Sequence, residues 1–172
     1  MGFLRGLSRV VDSVNDRVGR GARLLTLLLV LITTFDVVMR YLFRTSFVFV
    51  QEAEWHIFAV LFLLAAGYAH LKKDHVRVDI IYAQQSDRTK AVTNLIGGLL
   101  FLFPTCFLLI YSSIPFVVAS VGVLEGSPDP GGLPGRFVLK AVIPVGFLLL
   151  ALQGISELIK DFDALRSREA AR

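Results

Sequence analysis

The chain has 172 residues, a formal net charge of +4 and a mean hydropathy of +0.66. Apolar residues supply 55% and charged residues 19%, against roughly 45–50% and about 25% in soluble domains. That balance excludes an ordinary soluble domain, and it excludes disorder, which needs low hydrophobicity. A single cysteine, Cys106, excludes an intramolecular disulfide and a cysteine-based zinc site.

The chain opens with apolar residues at helical spacing: Phe3, Leu7, Val10, Val11, Val14 and Val18, with Arg5, Arg9, Asp12, Asp16 and Arg17 between them. This pattern predicts an amphipathic helix over about residues 1–20. Such a helix suits the membrane interface, with packing on a partner as the other option.

Four apolar stretches follow, each long enough to cross a hydrocarbon core of about 30 Å. They fall at residues 22–43, 47–70, 91–120 and 137–158, within a single membrane domain over residues 1–172. The third stays apolar to about Leu124 without a polar break. It reads as one helix kinked near Pro104 or Pro115. The first carries Asp36 and Arg40 and shows no small-residue cleavage site, so it reads as a retained span rather than a signal peptide.

Charge orients the bundle. Arg5, Arg9, Arg17, Arg20 and Arg23 precede or open span one. Lys72, Lys73, Arg77, Arg88 and Lys90 fall between spans two and three. Lys160, Arg166, Arg168 and Arg172 follow span four. Only Arg40, Arg44, Arg136 and Lys140 lie toward the other side. The positive-inside rule then places both termini and the middle loop in the cytoplasm. The basic excess reads as topology and lipid attraction, not as a nucleic-acid surface.

Ionisable residues at lipid depth are costly and call for partners. Asp36 and Arg40 are four apart on one helix face, acid first. Gln51, Glu52, Glu54 and His56 open span two, beside Trp55. A short connection over residues 44–46 makes spans one and two an antiparallel hairpin, with Asp36 and Glu54 at similar depth. Glu52 and Glu54 point to different sides of their helix. Three acids against Arg40 and Arg44 leave one acid unmatched. The arrangement fits a salt-bridge knot within the chain, a partner-facing pair or an ion path. Tyr41, Phe43, Phe47, Phe49 and Trp55 fit an aromatic belt. Gly67 with its neighbouring alanines, and Gly97-Gly98, permit close helix contact.

All three histidines lie between residues 56 and 75, so two cannot face each other across the bundle to ligate a haem. The sequence offers no catalytic constellation and no cofactor site, and the expected class is not an enzyme. No internal repeat appears, which argues against a complete secondary transporter.

Several segments in order carry a family resemblance. They are Asp36-Val-Val-Met-Arg40-Tyr41, Gln51-Glu-Ala-Glu-Trp-His56, His75-Val-Arg-Val-Asp79, Gly131-Gly-Leu-Pro134, Lys140-Ala-Val-Ile-Pro144 and Leu152-Gln-Gly154. Over most of residues 30–155 the chain resembles the small membrane subunit of tripartite ATP-independent periplasmic (TRAP) transporters, the DctQ-like type. The resemblance implies a scaffold in the bacterial inner membrane that braces a large elevator-type membrane subunit. A periplasmic solute-binding protein would dock on the outer face, and the solute would be an organic acid taken up with an ion. Asp36, Arg40, Glu52, Glu54, Trp55, His75, Arg77 and Asp79 are the expected structural and partner-interface residues. The competing expectations are a self-sufficient small channel or transporter and a membrane anchor for a redox enzyme.

Overall fold

The computed structural model describes residues 2–72 and 86–169. Helix α1 runs Gly2–Leu42, α2 Val48–Lys72, α3 Asp87–Gly97, α4 Phe103–Gly122 and α5 Arg136–Glu169. A π-helical turn, Gly98–Leu102, joins α3 to α4. Four stretches are long and apolar enough to cross a membrane: Gly2–Leu42, Val48–Lys72, Thr89–Gly122 and Arg136–Asp163. The fold is therefore all-α, with four candidate spans, as the hydropathy pattern predicts.

Helix α5 is the hub. It packs on α1, α2, α3 and α4, while α1 and α2 also pack on each other. The α1–α2 hairpin lies against one part of α5 and the α3–α4 arm against another. The turn between α1 and α2 is closed by the Thr45 amide donating to the Met39 carbonyl, and Arg44 takes a left-handed φ of 51°.

One sequence expectation changes and another is narrowed. The amphipathic segment is not a separate interfacial helix, because residues 2–42 form one helix of 41 residues, about 60 Å long at ~1.5 Å per residue. Its inward face is Ser8, Val11, Asn15, Gly19 and Ala22. Phe3, Leu7, Val10 and Val14, the bulk of the predicted apolar stripe, point outward. Continuity follows from the absence of proline and from contacts of this arm with α5, described below.

The irregularity in the third span falls just before Pro104, not at Pro115. The Phe103 amide reaches back five residues to the Gly98 carbonyl. A proline ring clashes with the carbonyl four residues earlier, and the widened turn makes room for it. Pro115 and Pro144 sit inside α4 and α5.

The core is small and polar. The largest fully buried side chains are Gln153, Asn15, Cys106, Ser120 and Ser156, while Leu, Phe and Val dominate the exposed surface. In lipid, apolar burial gives little drive for helices to associate, so close packing and hydrogen bonds do it. Gly67 illustrates the packing. A Cβ there would overlap the Asn15 side chain and come within 3.3 Å of the Leu149 backbone. Gly146 meets α2 in the same way, with the Leu63 carbonyl oxygen 2.8 Å from where its Cβ would be. The small-residue patch around Gly67 thus serves packing within the chain.

Candidate functional site

Two polar clusters hold the bundle, one toward each end. The first centres on Glu52, which is 4% exposed in the second turn of α2. Its carboxylate accepts from the Ser127 hydroxyl and the Leu133 amide, both in the loop between α4 and α5. It also accepts from Arg136 at the start of α5, at 3.0 Å. One side chain therefore ties α2, the loop and α5 together.

The loop is built to deliver these donors. Its proline and glycine content ends the helix, and Gly131 and Gly135 adopt φ of 80° and 83°, where a side chain is strained. The Ser127 amide donates to the Leu133 carbonyl at 3.0 Å, closing the loop on itself. The Arg136 guanidinium lies over the Trp55 ring, 5.3 Å from its centroid, and the His56 ring packs tilted against it at 3.9 Å between centroids. The His56 Nδ1 meets the Glu52 carbonyl at 2.6 Å.

Beside this clamp, Lys140 pairs with Glu125. Lys140 holds the Glu125 carboxyl below its ordinary value of 4.5. Because the folded pKa is depressed, the pair's contribution is present above pH 4.5 and is lost as pH falls through the folded value. The thermal midpoint difference between wild type and Glu125→Gln should stay constant from pH 8 to about 5 and narrow below that.

Asp36 is 4% exposed, and Arg40 pairs with it along α1. One Asp36 oxygen, Oδ1, and one Glu54 oxygen, Oε1, are buried without a hydrogen-bond partner among the described residues. Removing Arg40 strands the Asp36 carboxylate. Arg40→Ala should therefore lower the yield of monodisperse protein more than the same change at the exposed Arg17, read by size-exclusion chromatography.

The second cluster joins α1 to α5. Asn15 Nδ2 donates to the Gln153 Oε1 at 3.0 Å and lies 3.4 Å from the Leu149 carbonyl. Gln153 Nε2 donates to Asp12 at 2.9 Å, and the Ser156 hydroxyl does so at 2.7 Å. Ser8 and Ser156 share a hydrogen bond of 2.7 Å. Lys160 pairs with Asp12 at 2.8 Å, and Arg5 with Asp163 at 2.8 Å. Lys72 and Arg20 meet Asp16 at 3.3 and 3.2 Å, the former bringing in the end of α2.

Of the residues expected from sequence, the structure brings Glu52 and Trp55 together around Arg136 and pairs Asp36 with Arg40. Among the described residues Glu54 is the acid left without an ion pair, with its Oε1 buried and unpartnered. Neither Arg40 nor Arg44 partners Glu52; the sequence reading had not joined Arg136 to this group. His75, Arg77 and Asp79 lie outside the described residues. Sequence reasoning missed the Asn15–Gln153 network, since neutral amides raise no charge alarm. A regular series of small and polar residues, Ser8, Asn15, Gly19 and Ala22, was the available signal.

Four long apolar helices held by internal polar ties define a multi-pass membrane protein. A search of curated proteins returns no match. The family model for tripartite ATP-independent periplasmic transporters, DctQ component, matches residues 29–164. The chain belongs to that family, and it is a small permease component of a TRAP transporter rather than an enzyme.

Proposed function

We propose that the chain is a static scaffold for the large membrane subunit of its transporter. It lies in the bacterial inner membrane with both termini in the cytoplasm. The large subunit moves as an elevator and carries the substrate and the coupling ion. A periplasmic binding protein delivers the solute, an organic acid, to the outer face.

The observation that carries this reading is where the costly buried polar groups go. Glu52 is spent on a loop and a neighbouring helix, and Asn15 and Gln153 are spent on each other. A transport site needs polar groups that exchange partners with a solute. Here Glu52, Asn15 and Gln153 are committed to fixing helix positions. Basic residues cluster at both termini and in the middle loop, which supports the proposed orientation.

The test has two arms. Expressed with its cognate large subunit, the tagged chain should co-purify with it. Reconstituted alone in proteoliposomes, it should carry no sodium- or proton-dependent flux. Flux from the isolated chain would replace the scaffold reading with that of a self-sufficient transporter.

A further inference from the structure

The outward face of α1 carries a repeat that the bundle does not use. Phe3, Leu7, Val10 and Val14 are spaced four, three and four apart, and all are exposed, Phe3 to 83%. The same alternation runs on through Arg17 and Gly21 to Leu24 and Leu28, which are exposed as well. A 3.5-residue repeat of apolar side chains is the seam by which one helix packs lengthwise against another. From Phe3 to Leu28 the seam runs about 38 Å along the helix.

Lipid does not cover the first half of it. Residues 2–20 also carry Arg5, Arg9, Asp12, Asp16, Arg17 and Arg20, too many charges for the hydrocarbon. Nor does the segment lie flat on the bilayer. It continues the spanning part of α1 as one helix, and Ser8–Ser156, Asn15–Gln153 and Asp12–Lys160 tie it along α5. An apolar stripe held clear of the membrane on a fixed rod marks a protein contact.

A second copy of the chain fits that stripe badly. Two copies in one membrane run parallel, and like positions of a parallel seam face each other. Arg17 would then meet Arg17. A single charge within an apolar seam selects the partner that answers it, and here the answer is an acid on the facing helix.

We propose that the seam holds a helix of the large membrane subunit, one with an apolar stripe of matching spacing and an acidic side chain opposite Arg17. This rests on the scaffold reading above and adds the face by which the scaffold is joined. An ideal helix drifts about 20° per heptad from such a repeat, so the two helices wrap left-handed around each other.

The test uses the full chain co-expressed with its cognate large subunit. A photo-crosslinking benzoylphenylalanine is placed at Val10, or at Arg9, one residue away and off the seam. Val10 should give at least about fivefold more adduct with the large subunit than Arg9. In co-purification, Val10→Glu should cut recovery of the large subunit about tenfold, while Arg9→Gln, an equal change in charge, leaves it near wild type. Arg17→Ala should lower recovery about threefold, and Arg17→Lys should restore most of it. The cross-linking arm stands on its own if Val10→Glu folds poorly. Adducts from Val10 only to lipid or to a second copy, or equal adducts from both sites, would overturn the seam while leaving the scaffold reading in place. Wild type that brings down no large subunit would sink the scaffold reading and the seam with it.

Discussion

Gly67→Leu should stop α1, α2 and α5 from closing on one another. The added side chain has no free direction at its base: one neighbour is the Asn15 amide and another is the Leu149 main chain, which cannot rotate away. Overpacking against flexible side chains costs about 1–3 kcal/mol, and backbone on the far side puts this site at the upper end or beyond. Asn15 is itself held by Gln153, so pushing it aside also breaks the α1–α5 network. The expected result is aggregated or low-yield protein by size-exclusion chromatography. Gly97→Leu is the matched control, with the same change in a spacious setting. Similar yields for both variants would show that this three-helix junction tolerates separation.

Glu52→Ala is expected to have the next largest effect. It removes the acceptor for Ser127, Leu133 and Arg136 in one step, and it leaves Arg136 beside Trp55 without its carboxylate. The thermal midpoint should fall by roughly 5 °C or more, and the loop between α4 and α5 should become sensitive to protease. The double variant Glu52→Ala, Arg136→Met should recover part of the loss, because no cation is then stranded. Additive losses in the double variant would show that the two residues do not act as a pair.

Hydropathy made the four spans legible, since a lipid-crossing helix writes a long unbroken signal into its sequence. The helix ends at Leu42 and Val48 lie close to those expected. Charge cost made Glu52, Asp36 and Arg40 legible as residues in need of partners. What pattern could not supply was who meets whom. Glu52 and Arg136 are 84 positions apart, and no local spacing rule spans that interval. The apolar stripe at the start of α1 predicts a face turned to the membrane interface or to a partner, and most of it does point outward; what the stripe does not announce is that Ser8 and Asn15 on the other side pack against α5. The π-turn was anticipated as a kink but not located, because two prolines offered equal excuses for one.

The polar interior bears on attempts to make this protein water-soluble. Swapping its outward leucines and phenylalanines for lysine and glutamate would leave a particle with almost no grease at its centre, since Val11, Ala22, Val50, Ala91 and Cys106 are the whole of its buried apolar complement among the described residues. Water would then compete for every amide and hydroxyl that lipid now leaves unchallenged. A soluble version would need a new oily centre as well as a new coat.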